Sequence, residues 1–305
     1  MLRRILVIVS LLIATAITYA QDTTASHNSP AKVATSAAGE QNEPAPDPRA
    51  IMQKAVAKDI FNWEAAKDYT FLERMQQDSL DGNGAVKSSK SETHEIMVLY
   101  GEPFERTVAK DDQPLSQKQQ KKQDEEFDKE TRKRANETPE ERQKRIQKYQ
   151  KERDDERAFV REILGAYDFT LAGTEVLNGR PTWVIDGTPH PGFEGKRRES
   201  KVLPKIKPRF WIDQQDYSWA KLRAEFTETV SFGWVVARLH KGSQFEMQQV
   251  LVNSEVWMPQ RADIKLDARV ALLKGVNENI HLTYKDYRKF RTDTKISVAE
   301  SGAIQ

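Results

Sequence analysis

The feature that most constrains this fold is a run of alternating apolar and polar residues over positions 207–290. A period of two is typical of β-strands that bury one face. Short connections predict that these strands form an antiparallel meander. The inward-facing residues are Ala220, Leu222, Ala224 and Phe226 in one strand, Phe245, Met247 and Leu251 in the next, Ala262, Ile264, Leu266, Ala268 and Val270 in a third, and Ile280, Leu282 and Tyr284 in a fourth.

The connections of this meander differ in polarity between its two ends. Residues 213–216 and 253–254 are polar, as turns usually are. Residues 230–239 and 270–276 are unusually apolar. Because every second connection of a meander lies at the same end, the two apolar connections share one end of the sheet. An apolar end of this kind indicates contact with something apolar.

These patterns define a candidate site for an apolar ligand, with a rim in the apolar connections and a wall on the inward face. Its residues are Leu222, Phe226, Phe232, Trp234, Val235, Leu239, Phe245, Met247, Leu266, Leu272 and Leu273. The small residues Ala220, Ala224, Ala262 and Ala268 would leave room for the ligand. Two interpretations of Trp234 stay open: it belongs to a short amphipathic helix that covers the end of the sheet, or to a lid that contacts lipid.

The N-terminus has the pattern of a secretory signal. Arg3 and Arg4 precede an apolar segment at residues 5–17, and Ala20 follows as a small residue at a cleavage site. We therefore expect an exported, periplasmic protein that is soluble after cleavage. The chain has no cysteine, so neither a disulfide nor a lipid-modified cysteine is expected.

The charge balance argues against nucleic acid as a partner. The formal net charge of +2 equals the charge of Arg3 and Arg4 alone, so the mature chain is formally neutral. A nucleic-acid-binding protein usually carries a clear excess of basic residues.

Composition divides the chain into segments. Residues 1–20 are the predicted signal, residues 21–47 a disordered tether rich in Ala, Ser, Thr and Pro, and residues 293–305 a flexible tail. One domain is expected over residues 48–292. It begins with a helix, since Asp47 followed by Pro48 is typical of a helix start.

Within this domain, residues 115–164 predict an inserted helical hairpin that is densely charged. Two helices are expected, at residues 115–135 and 139–164, the second beginning with a capping box at Thr138 and Glu141. Helices that are polar on all sides are usually exposed, so we interpret the hairpin as a solvated spacer that contributes little to the core. The alternative is an arm that docks another protein.

No motif for catalysis or metal binding is present in the sequence. The five histidines are His27, His94, His190, His240 and His281, and none has the spacing of a zinc site. Asp213 and Asp216 flank a hairpin and are more typical of turn residues than of paired catalytic acids. We expect no enzymatic activity, no catalytic residue, no cofactor and no metal.

Two segments resemble a known family. The sequence Arg209-Phe-Trp-Ile-Asp213 followed by Lys221-Leu-Arg-Ala-Glu225 is similar to paired strands of the outer-membrane lipoprotein-sorting proteins, a group that includes LolA-like carriers, LppX-like lipid transporters and RseB-like sensor domains. Residues 253–259 and 284–290 resemble the closing strands of that family. The resemblance implies an α+β fold, in which a curled antiparallel half-barrel of roughly ten strands wraps around short helices.

The resemblance also implies a function. A protein of this group would be a periplasmic, non-enzymatic carrier that holds a lipid or the acyl chain of a lipoprotein and makes peripheral contact with a membrane. The alternative is an envelope sensor or scaffold that binds a partner protein through the same fold and the charged hairpin. An empty apolar cavity would favour the carrier, and a filled core would favour the scaffold.

Overall fold

The computed structural model describes residues 46–197, 199–232, 237–270 and 274–290. The predicted signal, nearly all of the tether and the tail lie outside these ranges, as do Trp234, Val235, Leu272 and Leu273. The helices are α1 (Pro48–Ala66), α2 (Gln117–Ala135) and α3 (Pro139–Ala166), with a short 3₁₀ helix at Glu199–Lys205. The strands are β1 (Tyr69–Leu80), β2 (Val86–Leu99), β3 (Glu102–Lys110), β4 (Gln113–Pro114), β5 (Tyr167–Leu177), β6 (Arg180–Pro189), β7 (Ile206–Asp213), β8 (Trp219–Phe226), β9 (Val230–Phe232), β10 (Ala237–Leu239), β11 (Gln244–Val252), β12 (Val256–Val270) and β13 (Lys274–Lys289).

The fold class predicted from the sequence is confirmed. All described strands belong to one open antiparallel sheet in the order β4-β3-β2-β1-β13-β12-β11-β8-β7-β6-β5, with β9 and β10 attached beside β12. The predicted meander is present as β7, β8, β11, β12 and β13, each hydrogen-bonded to the next. The N-terminal strands join it through β1, which pairs with β13 over most of its length.

The apolar connection at residues 230–239 contains two short strands among its described residues, and Trp234, to which the helix and lid interpretations apply, lies outside the described ranges. Its described residues form β9 and β10, which pair with each other and extend the sheet because β10 also pairs with the end of β12. Leu239 lies opposite Ala268 in this register. Val230 and Leu239 belong to the main core cluster, so these two described apolar residues continue the inner surface of the sheet.

A bulge in β8 changes one inward residue. The register between β7 and β8 shifts between Trp211 and Ile212, so that Ile212 lies opposite Trp219. Trp219 therefore belongs to the main core cluster, and Ala220, which alternation predicted to face inward, does not. A single extra residue in one strand exchanges the two faces, and alternation alone does not reveal it.

The core lies on the concave face of the sheet, where helices fill it. Asp47 caps α1 by accepting a hydrogen bond from Arg49 N at 2.9 Å. The helix then buries residues from consecutive turns against the sheet: Ile51, Met52, Ala55 and Val56. The last turns of α3 bury Phe159, Val160, Ile163 and Ala166 in the same cluster.

The helical hairpin predicted from the sequence is present, but the solvated-spacer interpretation is wrong for the last turns of its second helix. The last turns of α3 are part of the core, as just described. Two arginines of the hairpin, Arg134 and Arg153, are also buried. The hairpin therefore packs onto the sheet and does not extend freely from it.

Candidate functional site

An apolar cavity lies between the concave face of the sheet and the end of α3, at the end of the meander that carries the apolar connections. Five of the residues predicted for the ligand site line it: Leu222, Phe226, Leu239, Phe245 and Leu266. Met247 belongs to the same core cluster but does not line the cavity. Phe232 lies in β9, where only its backbone is described, and the other four predicted residues lie outside the described ranges.

The cavity is small. Its volume is about 60 Å³, several-fold below the ~300 Å³ at the lower end of ordinary ligand pockets. Helix residues have taken up the space beside the small side chains of the sheet, since Phe159 and Ile163 form the wall of the cavity together with Ala224. In this conformation the core is essentially filled.

Sequence reasoning missed the contribution of α3 to this site. Phe159, Val160, Ile163 and Ala166 recur at the i, i+1, i+4 and i+7 spacing of an amphipathic helix. This spacing is present in the sequence, but it is hard to recognise because charged residues dominate the composition of residues 115–164.

A second cavity, of about 110 Å³, lies under the middle of α3. Apolar residues of the sheet form its floor, among them Phe71, Ile96 and Val98. Charged residues of α3 form its roof, and one of them, Arg153, donates a hydrogen bond to Tyr149 Oη at 3.0 Å and pairs with Glu64 of α1 at 3.5 Å. The charged side chains of α3 do not pack closely against these apolar residues, and the cavity lies between them.

Two arginines fix the turn of the hairpin to the turn between β2 and β3. Arg134, at the end of α2, donates a hydrogen bond from Nη1 to Leu99 O at 2.6 Å. Arg145, in the second turn of α3, donates to Glu102 Oε1 at 2.9 Å and to both carboxylate oxygens of Glu137, at 2.7 and 2.8 Å. We call this cluster the arginine clamp.

The clamp changes the acidity of its carboxylates. Hydrogen bonds from Arg145 hold the pKa of Glu137 below its ordinary value, and a hydrogen bond from Arg134 Nε at 2.8 Å does the same for Glu130. A depressed pKa in the folded state means that the ion pair stabilises the fold above the ordinary pKa of a glutamate. The contribution is lost as the pH falls through the lowered pKa values, so the clamp is intact at neutral pH.

Helix α2 covers the edge of the sheet at β3. The Gln123 side chain accepts a hydrogen bond from Thr107 N at 3.1 Å, a backbone donor of β3. Phe127 packs edge-on against Phe104, with 5.5 Å between the ring centres. Both contacts hold α2 against β3, and the exposed residues of the helix form a charged outer surface.

At the opposite, polar end of the meander, Asp213 and Asp216 support the turn between β7 and β8. The Asp213 carboxylate is fully buried, accepts hydrogen bonds from Arg180 Nε and Nη2 at 2.6 and 2.7 Å, and also accepts from two backbone N–H groups of the turn. Asp216 accepts from Trp257 Nε1 at 2.8 Å. Their contacts are those of turn-stabilising residues.

The described histidines are each placed beside a carboxylate. His94 lies near Glu105, His190 near Asp168, His240 near Asp267 and His281 near Asp263, at 2.7–3.2 Å. Within the described ranges, no group of three or more His, Cys, Asp or Glu side chains is arranged to hold a metal ion. No helix in these ranges combines the length and the hydropathy needed to cross a membrane.

Comparisons with known proteins find similarity only at the level of structure. No protein-family model matches the sequence, and no curated protein matches it. The solved structures that resemble it include a DUF1329 family protein from Desulfovibrio piger, with 10% identity, coverage of 82% of this chain and 96% of the other, and a TM-score of 0.30.

Two further structures are similar to the same extent. A LolA superfamily protein from Nitrosomonas europaea shares 14% identity over 81% of this chain and 94% of its own, with a TM-score of 0.29. An outer membrane lipoprotein-sorting protein domain from Vibrio parahaemolyticus shares 10% identity over 80% and 95%, with a TM-score of 0.31. These two are named for the same group that the sequence segments resemble. The superpositions are loose, so no residue, ligand or partner is carried over from them.

Proposed function

We propose that this chain is a non-enzymatic scaffold of the bacterial periplasm that binds a partner protein through the charged outer face of its helical hairpin. The observation that carries this proposal is the filled core. With a cavity of about 60 Å³, the concave face has no room for an acyl chain in this conformation. A binding function then depends on the outer surface. On that surface the hairpin presents two long helices that are dense in charged residues.

The attachment of the hairpin supports a binding role. A solvated spacer needs no fixed position, whereas this hairpin is held by the arginine clamp at its turn and by Gln123 and Phe127 along β3. Fixing a surface before binding lowers the conformational entropy that the complex has to lose. Exposed charges of both signs, arranged on a rigid surface, give orientation and specificity to a protein interface.

Photo-crosslinking tests this proposal in cells that produce the protein naturally. A photoreactive amino acid placed at Lys122 of α2 or Lys148 of α3, both exposed, is expected to form a covalent adduct with a specific envelope protein. The matched control is the same amino acid at Lys87, an exposed lysine of β2, which should give no such adduct. Equal labelling at all three positions, or none at either hairpin position, would reject the hairpin as the binding surface.

A second candidate function, transport of a lipid or a lipoprotein acyl chain, is favoured by the character of the cavity. Apolar side chains dominate its lining, and it lies toward the apolar connections of the meander. Each buried methylene would contribute about 0.8 kcal/mol, so a moderate chain could displace α3 and open the site. This alternative requires the last turns of α3 to move away from the sheet.

A fluorescent fatty-acid probe tests the carrier function. If the apolar connections form the entrance, Trp234→Ala should weaken probe binding by about 2 kcal/mol while the fold stays intact, since truncating an aromatic in a desolvated contact commonly costs this much. Circular dichroism would check the fold. Native mass spectrometry of protein purified from envelope extract should show the added mass of a lipid. If the unmodified protein binds neither probe nor lipid, the carrier function is wrong.

A further inference from the structure

The two edges of the sheet differ in how far other parts of the chain cover them. At one edge, β3 is paired with the short strand β4 and covered by α2, whose Gln123 side chain accepts a hydrogen bond from a backbone N–H of β3. At the other edge, β5 has β6 on one side, and no described strand follows it in the sheet. Seven of its eleven residues are exposed. Proteins usually protect a long edge strand, because its unpaired backbone groups can bind another strand.

The hairpin geometry identifies which backbone groups of β5 point outward. Leu177 and Arg180 flank a two-residue turn, so they form a hydrogen-bonded pair. Hydrogen-bonded and non-hydrogen-bonded pairs alternate along an antiparallel ladder. Val176 and Thr174 therefore direct their N–H and C=O groups away from β6. Pro181, opposite Val176, has no N–H to donate, which agrees with this assignment.

The side chains of β5 define what kind of strand fits there. Thr174 lies opposite Trp183, which packs against the core, so Thr174 and Val176 face the concave side of the sheet. Val176 is 70% exposed. An added strand with apolar residues on its concave side would cover Val176 and continue the inner surface.

The charge of β5 indicates which residues an added strand should carry on its convex side. The charged residues of β5 are Asp168 and Glu175, both acidic, and the strand contains no lysine, arginine or proline. Glu175 accepts a hydrogen bond from Trp211 Nε1, which places its carboxylate on the convex side. Basic residues on the convex side of an added strand would complement it, whereas a second copy of β5 would bring only further acids.

We infer that the edge of β5 binds an extended segment of a partner protein by strand addition, and that this segment alternates apolar residues with basic ones. The main chain at Thr174 and Val176 supplies the hydrogen bonds, and the exposed Val176 supplies the apolar contact. Thr174 and Val176 lie at the end of β5 far from α3, and β5 is at the opposite edge of the sheet from the contact between α2 and β3. The inference is therefore independent of the function proposed above.

A short synthetic peptide in which valine alternates with lysine is the probe. Fluorescence anisotropy should show that the full chain binds it, and hydrogen exchange should show new protection at β5. Thr174→Pro removes an outward N–H without breaking the β5–β6 ladder, and Val176→Lys places a charge on the apolar side. Each should weaken binding at least tenfold. Val86→Lys, at another exposed valine, and a peptide N-methylated on its pairing edge serve as controls.

The outcomes separate the alternatives. Tenfold loss with both β5 variants, no loss with Val86→Lys, and no binding of the N-methylated peptide would support strand addition. If the peptide does not bind, binds both β5 variants as tightly as the unmodified chain, or protects another strand, the inference is wrong. A dimer of the chain itself that Thr174→Pro abolishes would also overturn it, because the edge would then serve a second copy. Because Val176→Lys leaves the backbone unchanged, it stays informative if Thr174→Pro does not fold.

Discussion

Replacing Asp213 by alanine is expected to lower the free energy of unfolding by about 3 kcal/mol. The carboxylate is fully buried and holds both Nε and Nη2 of Arg180, so its removal leaves the guanidinium with only the longer ion pair to Asp216, at 3.8 Å. Breaking a buried pair on one side commonly costs ~3–5 kcal/mol. The lower figure applies because Arg180 is 24% exposed and gains some hydration. The turn also loses two backbone hydrogen bonds.

The chain offers a matched control for this prediction. Asp186 also accepts two hydrogen bonds from one arginine, Arg209, at 2.6 and 2.8 Å, but this pair is partly exposed to solvent. Surface ion pairs contribute about 0–1 kcal/mol. Asp186→Ala should therefore change the free energy of unfolding far less than Asp213→Ala in urea titrations. Equal effects of the two substitutions would show that burial is not what makes the Asp213 pair important.

Phe159→Ala is expected to be at least as destabilising, by about 3–5 kcal/mol, the usual range for removing a buried aromatic side chain. Phe159 is 2% exposed and borders the apolar cavity, so truncation would enlarge that cavity rather than expose the site to water. The variant should show a lower urea midpoint with an unchanged slope. It should also bind a small apolar molecule such as benzene better than the unmodified chain, because an enlarged apolar cavity stays dry.

Ile146→Ala on the same helix is the control. Ile146 is 42% exposed, and surface substitutions usually change stability by less than about 0.5 kcal/mol. If Phe159→Ala were as mild as Ile146→Ala, the whole of α3 would behave as the solvated spacer that its composition suggests. The pair of variants thus separates the core part of the helix from its exposed part.

The meander could be predicted because its determinants are local. Alternation identified the strands from 207 to 290, and the polar turn residues at 213–216 and 253–254 located two of the hairpins. Both signals depend on a few consecutive residues, whose side-chain periodicity and backbone preferences are determined by the local sequence. The helix starts at Pro48 and Pro139 were predictable for the same reason, through their capping residues.

Features that depend on packing between distant segments were not predictable. β9 and β10 are three residues long, too short for alternation to show, and they form because β12 is available beside them. The spacing of the apolar residues around Phe159 indicates an apolar side of α3, but the strands that this side contacts depend on how the whole sheet is assembled. The volume of the cavity depends on how α3 and the alanines of β8 and β12 fit together, which no residue pattern specifies.

The pairing of β1 with β13 has a consequence for folding. Tyr69 lies opposite Lys289 in this ladder, so the middle of the sheet joins the first strand of the domain to the last. Contacts between residues so far apart in sequence slow folding, because a long loop has to close before any of them forms. During synthesis, one side of β1 stays unpaired until the ribosome has released nearly the whole domain, because β13 is made last. A chain cut short before β13 would therefore leave that strand exposed to aggregation, which makes the intact C-terminal strand a condition for a stable N-terminal half.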